Sequence, residues 1–238
     1  MKKPILLSWS GGKDSALALH ALRSSPDFEP AGLLTTMTEG YDRISIHGVR
    51  RELLERQAEA IGLPLRKVWI PKDCSNEIYE ARLATALREV ETEGIHHVAF
   101  GDLFLRDVRD YREQQMAALG LEPVCPVWGI DTAELARDFL RLGFEAVLVC
   151  VDTEVLDPAF AGRSFDEALL RDLPAGVDPC GENGELHTFV HAGPIFRQPL
   201  AIKVGRVEGR GRFWFHDLEL SPEGQAQPVD AAKSMPPV

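Results

Sequence analysis

Eight consecutive residues near the start, Ser8-Trp9-Ser10-Gly11-Gly12-Lys13-Asp14-Ser15, hold the groups needed to grip a polyphosphate. Two adjacent glycines let the backbone turn tightly and expose amide hydrogens, while Ser10, Lys13 and Ser15 add side-chain donors. The apolar run Pro4-Leu7 precedes the segment and a helical stretch, Ala16-Arg23, follows it. The donors therefore stand where a strand's carboxyl end meets the positive end of a helix dipole. Asp14 repels phosphate unless a cation intervenes, which makes it the candidate ligand for Mg2+. The Gly-x-x-x-x-Gly-Lys-Ser/Thr spacing of a Walker A loop is absent.

Ligands of open parallel sheets bind beyond the carboxyl ends of the strands, so the residues that follow each apolar run are the next candidates. Thr35, Thr36 and Met37 close the second run and are candidates for adenine and ribose contacts. His47, in the turn Ser45-Ile46-His47-Gly48-Val49, is a candidate nucleotide ligand or proton carrier. In Phe100-Gly101-Asp102-Leu103, Gly101 permits close approach of a ligand, and Asp102 either takes a metal or a ribose hydroxyl or caps a helix. Arg106 and Arg109 follow and can meet the charge on an α-phosphate or a substrate carboxylate, although each alone also suits a solvated face. A second dense segment runs from Asp178 to Val190. Its Glu182, Asn183, Glu185, His187 and Thr188 lie between and just after glycines, which favours substrate binding over a plain turn. Cys180 and His187, seven residues apart, do not by themselves make a transition-metal site.

These residues need a scaffold, and the chain's patterning describes one. Short branched-apolar runs at Pro4-Leu7, Ala31-Thr36, Leu65-Ile70, His97-Phe100 and Ala146-Val151 alternate with helical segments, the signature of a parallel sheet with helices on its faces. Leu53, Leu54, Gln57, Ala58 and Ile61 share a stripe that stops at Gly62. A second helix is expected over Ser75-Glu93, burying Ile78, Ala81, Ala84, Leu87 and Val90. A third starts at Asp131, with Glu134 placed for a capping box and Leu135, Phe139 and Leu142 facing inward. From about Asp152 glycine and proline become frequent, and alternation over Leu200-Val207 and Arg212-Leu220 predicts a hairpin around Glu208-Gly211. The division expected is a nucleotide-binding domain over residues 1–151, a smaller α+β substrate-binding region over 152–220, and a disordered tail over 221–238.

The 238 residues are 45% hydrophobic and 26% charged, enough for a real core, and the formal net charge of -11 argues against a nucleic-acid footprint such as DNA requires. No run approaches a membrane span, and the start carries too short an apolar stretch for a signal peptide, so a cytoplasmic protein is expected. Cys74, Cys125, Cys150 and Cys180 are scattered with no Cys-x-x-Cys pair and read as reduced thiols. Phe213-Trp214-Phe215 suits either the core or a homo-oligomer contact.

The string Ser-Gly-Gly-Lys-Asp-Ser at Ser10–Ser15 resembles the PP-loop of ATP pyrophosphatases, which implies that ATP is split to AMP and pyrophosphate through an adenylate. Together with Gly101-Asp102, Pro126-Val127-Trp128, Leu156-Asp157, Gly162-Arg163 and Gly181-Glu182-Asn183-Gly184-Glu185, it is similar to the diphthine-ammonia ligase family over roughly residues 3–220. The resemblance implies a HUP-type, doubly wound Rossmann-like domain followed by a smaller substrate domain, with ATP and Mg2+ activating a carboxylate that ammonia converts to an amide. The Glu-Asn-Gly-Glu-Leu-His-Thr and Ile-His-Gly-Val strings look like its bacterial branch, for which a small-molecule or protein carboxylate other than diphthine is the expected substrate. Lys13, Asp14 and Asp102 are the expected catalytic residues. Two other readings stand beside this one: a PP-loop enzyme that thiolates tRNA through a cysteine, and a nucleotide-binding sensor without turnover.

Overall fold

The computed structural model describes residues 1–44 and 48–221. The N-terminal part carries β1 (Lys3–Ser8), α1 (Lys13–Ser24), β2 (Phe28–Thr38), β3 (Arg43–Ile44), α2 (Arg51–Ile61), β4 (Leu65–Ile70), α3 (Asn76–Thr92), β5 (His97–Ala99), α4 (Arg106–Ala117) and β6 (Glu122–Val124). α5 (Thr132–Arg141) leads to β7 (Glu145–Asp152), a 3-10 turn at Pro158–Phe160, α6 (Glu167–Asp172), β8 (Leu186–Ala192), β9 (Ile202–Arg210) and β10 (Phe213–Leu220).

β4, β2, β1, β5 and β6 lie side by side and pair in parallel, and β3 adds an antiparallel step to the end of β2. Ile5, Leu6 and Leu7 are all fully buried because both faces of this sheet are covered. Successive side chains point to opposite faces. Leu6 accordingly packs with Leu83, Leu87, Val90 and Met116 from α3 and α4, whereas Ile5 and Leu7 pack with α1, α2 and α5 and also with Val147, Phe189 and Leu218 of the second sheet. Each large aliphatic side chain so buried contributes about 1.5–3 kcal/mol. The α/β, doubly wound architecture expected from the alternation is present.

β8, β7, β10 and β9 form a second, antiparallel sheet. The run Ala146-Val151 belongs here and not to the parallel sheet as expected. An unbroken apolar run marks a strand buried on both faces, and β7 reaches that condition in the middle of the antiparallel sheet, packed against the shared core. The hairpin forms as expected, with β9 and β10 paired from Arg210↔Phe213 to Ile202↔Leu220.

Helix ends follow their local chemistry. Ser75 and Asp131 cap α3 and α5 by accepting from Ile78 N and Glu134 N, and Gly62 ends α2 at φ +79°. Three inward-facing residues are corrected: Ile78, Ala81 and Leu142 are exposed, Ala84 is half-buried, and α3 buries Leu83 together with the expected Leu87 and Val90. Residues spaced by three drift about 60° per step around a helix of about 3.6 residues per turn, so a run that is buried at Leu87 and Val90 has left that face by Ala81 and Ile78. β6, holding Pro123, and α4 had no reading in the sequence. β6 sits at the sheet edge, where a missing amide is tolerated. Beyond Ser221, the expected tail lies outside the described residues.

Candidate active site

The parallel order reverses direction between β1 and β5, and the crevice at their carboxyl ends is where such sheets bind ligands. β1 runs directly into the Ser8–Ser15 loop, and β5 into Gly101-Asp102. Gly11 has φ +79°, and a Cβ there would stand 2.8 Å from Gln57 Oε1, so both backbone and space require glycine. α1 starts at Lys13, three residues before the expected Ala16, so its first turn is the loop's own Lys-Asp-Ser. Ser15 Oγ donates to Gly12 O at 2.9 Å and lies 3.2 Å from Ser10 Oγ, and Gly12 N reaches Ser10 Oγ at 3.3 Å.

The second sheet braces this loop from the side. Val190 N donates to Gly11 O at 2.9 Å and Lys13 N to Thr188 Oγ1 at 3.0 Å. Lys13 itself is 2% exposed; its Nζ donates to Asp14 Oδ2 at 2.9 Å and to the carbonyl of Cys180. Burial pulls its pKa down, but Asp14, Cys180 and Asp178 outweigh that and leave it above the ordinary lysine value, so the ammonium is kept. Burial pushes the Asp14 carboxyl up against the opposing pull of Lys13, and Asp14 Oδ1 is buried without a hydrogen-bond partner.

Across the cleft, Asp102 is pushed up by burial, with Arg112 of α4 opposing from 3.6 Å. Asp102 does not cap α4, whose N-cap is Leu105, and its Oδ2 has no hydrogen-bond partner. The Arg112 guanidinium stacks over the Phe100 ring at 4.7 Å. On the third side, Glu182 accepts from Leu103 N at 2.8 Å and Phe104 N at 3.4 Å, tying the Asp178–Thr188 segment to the β5 loop. Glu185, 7% exposed, accepts from Asp178 N, Asn183 N and Asn183 Nδ2 and so organises its own loop. Gly181, at φ +67°, leaves no room for a Cβ, which would lie 2.6 Å from Leu186 O. Burial first and Lys13 second depress His187 to about 4, giving a neutral imidazole at physiological pH. The Cys180 thiol is pushed up to about 12 by burial and donates to Thr132 O.

The cleft, about 250 Å³ and open to solvent on one side, is lined by Ser8, Ser10 and Gly12–Ser15, by Phe100–Asp102 with Arg112, and by Gly181, Glu182, Gly184 and Leu186–Thr188. Ser10, Gly12, Lys13, Asp14, Ser15, Gly101, Asp102, Glu182, His187 and Thr188 thus meet at one place. Gly11 does not line the cleft, because its carbonyl is turned toward Gln57 and Val190. Met37 is fully buried in the core and Thr36 half-buried along β2, and neither lines the cleft. Arg106 is exposed at the start of α4 and Asn183 is turned toward Glu185, both away from the lining. His47 lies outside the described residues. Sequence reasoning missed Arg112, three residues past Arg109 on a helix it did not assign, and gave no role to Gln57, whose signal was a polar residue inside an apolar stripe.

Among the described residues no trio of His, Cys, Asp and Glu gathers to hold a metal by itself. Asp14 Oδ1, which has no hydrogen-bond partner, and Asp102, whose Oδ2 is ion-paired with Arg112 at 3.6 Å but not hydrogen-bonded, suit Mg2+, which takes one or two carboxylates together with phosphate oxygens and water. A larger cavity, about 1060 Å³, opens between α2 and the Arg197–Ser221 segment. Its Arg50 and Arg56 are already paired with Glu219 and Glu59, and no phosphate-loop residue lines it.

A glycine-turned loop at the switch point, carrying Lys-Asp-Ser on the first turn of α1, defines a PP-loop ATP-using enzyme. Residues 1–123 match the diphthamide synthase N-terminal domain and residues 131–221 match the diphthamide synthase C-terminal domain. The chain belongs to the diphthamide synthase family. It is 28% identical over 217 residues to a diphthine–ammonia ligase of Danio rerio, covering 81% of this chain and 84% of that one. It is 27% identical over 225 residues to a diphthine–ammonia ligase of Homo sapiens, covering 83% and 82%. A solved structure described as a predicted subunit of tRNA methyltransferase from Methanocaldococcus jannaschii superposes with a TM-score of 0.44 at 18% identity, over 80% of this chain and 97% of that one.

Proposed function

We propose that the chain is an ATP-dependent amide ligase that activates a substrate carboxylate, carried on a small molecule or a protein, for attack by ammonia. The parallel sheet holds the nucleotide and the Asp178–Thr188 segment presents the acceptor. The observation that carries this reading is the position of Lys13. Its buried ammonium touches Asp14 on the phosphate loop and the carbonyl of Cys180 on the acceptor segment. ATP, when bound, supplies an α-phosphorus that a carboxylate oxygen attacks as pyrophosphate leaves, and ammonia then displaces AMP.

The protein's own part is positioning and charge. Ser10, Gly12 and Ser15 present donors to the departing phosphates, and Lys13 remains cationic beside them. Asp14 and Asp102 are the carboxylates that would hold Mg2+ there. Glu182 fixes the acceptor segment against the β5 loop. Burial and Lys13 keep His187 neutral and hold it at about 4, too weak a base to deprotonate ammonium, so its part is to hydrogen-bond the acceptor at the cleft wall. Sulfur transfer to tRNA would need a thiolate, whereas burial pushes the half-exposed Cys125 thiol up to about 11 and the Cys180 thiol up to about 12.

Incubation with Mg-ATP labelled at the α-phosphate, ammonium and fractionated metabolites tests the proposal. AMP and pyrophosphate released only with particular fractions support it and lead to the acceptor. ADP as product overturns it.

A further inference from the structure

Gln57 is fully buried on α2, within a stripe otherwise made of Leu53, Leu54, Ala58 and Ile61, and it makes three hydrogen bonds, two to the Ser8–Ser15 loop and one to β8. Its Oε1 accepts from Trp9 Nε1 at 3.1 Å, and its Nε2 donates to Gly11 O at 3.0 Å and Val190 O at 2.6 Å. A helix stripe that only needed burial would carry leucine or alanine here. A carboxamide at this reach is the natural side chain that supplies two N–H donors and an acceptor together.

Gly11 O receives a second hydrogen bond, from Val190 N at 2.9 Å. Two donors therefore pull that carbonyl toward β8. In a trans peptide the following N–H points the opposite way, and the described chain has no cis peptide. Holding Gly11 C=O toward α2 and β8 aims Gly12 N–H into the cleft, where it meets Ser10 Oγ and both residues line the wall. The space left beside Gly11 is filled by the same amide, which stands 2.8 Å from where a Cβ would be.

We infer that Gln57 is a positioning residue: by holding the Gly11 carbonyl against β8 it orients the Gly12 amide toward the β- and γ-phosphates of ATP. The inference rests on the phosphate-loop reading above. It separates Gln57 from a purely structural core residue, because the effect falls on the terminal phosphates and not on the nucleoside.

The test is calorimetric binding of Mg-ATP and of AMP, without acceptor, to wild type, Gln57→Leu and Gln57→Glu. AMP has no β- or γ-phosphate, so it controls for general damage to the site. Both variants are expected to bind ATP about tenfold more weakly and AMP within about twofold of wild type. In Gln57→Glu an ionised carboxylate faces two carbonyls. Lowering the pH from about 8 to about 5.5 protonates it and restores one donor, so its ATP deficit relative to wild type should narrow. Equal losses for ATP and AMP, unchanged ATP affinity in a folded variant, or failure of both variants to fold would overturn the inference. A wild type that does not bind Mg-ATP would instead overturn the phosphate-loop reading, and this one with it.

Discussion

Replacing Gly101 with Ala tests the contact between the β5 loop and the first turn of α1. Gly101 does not have a left-handed φ, so alanine introduces no backbone strain of its own and the effect is steric. The added Cβ would lie 2.9 Å from Asp14 C, 2.9 Å from Ser15 N and 3.0 Å from Asp14 O, all backbone atoms. Ordinary contact needs about 3.5 Å, so the first turn of α1 or the β5 loop must yield by roughly half an ångström. Overpacking of this kind costs about 1–3 kcal/mol, which for a chain this long lowers Tm by several degrees. The same shift displaces Asp14 and Ser15 at the phosphate site, and a misplacement of that size lowers the rate of AMP formation about tenfold. Thermal unfolding and an acceptor-dependent AMP assay on the same preparation check both numbers. A variant with wild-type AMP formation and a Tm within about a degree of wild type would refute the proposed packing of Gly101 against α1.

Lys13→Ala should lower AMP formation by at least about a hundredfold in the same assay, because it removes the one ammonium that lines the cleft among the described residues and leaves Asp14 buried without its partner; full activity would sink the enzyme assignment. Cys180→Ala should keep AMP formation within about threefold of wild type, since the thiol stays protonated and Lys13 uses the backbone carbonyl, which the variant retains; loss of turnover with the fold intact would reinstate a thiol mechanism. Asp217→Asn addresses the joint between the sheets. Burial raises the Asp217 carboxyl, but hydrogen bonds from Arg50 and Arg43 outweigh it and hold it at about 2. The folded pKa is therefore depressed, so its stabilisation is fully present above about pH 4 and is lost as pH falls through about 2. Denaturant unfolding should show the variant roughly 1–2 kcal/mol less stable at neutral pH, with the difference closing across that acidic window.

Legibility followed how local each signal is. The phosphate loop was readable because its chemistry lies in consecutive residues, and α2, α5 and the β9–β10 hairpin because their stripes and caps are close in sequence. β7 was misplaced because apolarity reports burial on both faces and says nothing of partner or direction. Arg112 and Gln57 were out of reach for a related reason: each acts across a long separation, on Asp102 through the packing of α4 and on Gly11 and Val190 through α2. Glu185 shows a further limit of local reading: a glycine-rich loop marks its carboxylate as a substrate candidate, and only the structure shows its oxygens taken up by Asp178 and Asn183 of the same loop.

The shared core explains why the acceptor segment can be trusted to stay where the phosphate loop needs it. Val147, Phe189 and Leu218 of the antiparallel sheet pack into the same cluster as Ile5 and Leu7 of β1, so the two sheets do not hinge freely about the cleft. Four polar ties reinforce that packing at the site: Val190 N to Gly11 O, Lys13 N to Thr188 Oγ1, Gln57 Nε2 to Val190 O, and Lys13 Nζ to the Cys180 carbonyl. Each joins the parallel-sheet layer to the second. Attack of a carboxylate on an α-phosphorus gains most from holding the two reactants at fixed separation, and a lone loop on either sheet would lose that geometry to its own motion. Lys13 makes the coupling electrostatic as well as steric. A single ammonium lies between the loop that would hold the leaving pyrophosphate and the segment that would hold the incoming carboxylate, so it can stabilise the charge passing from one to the other without moving.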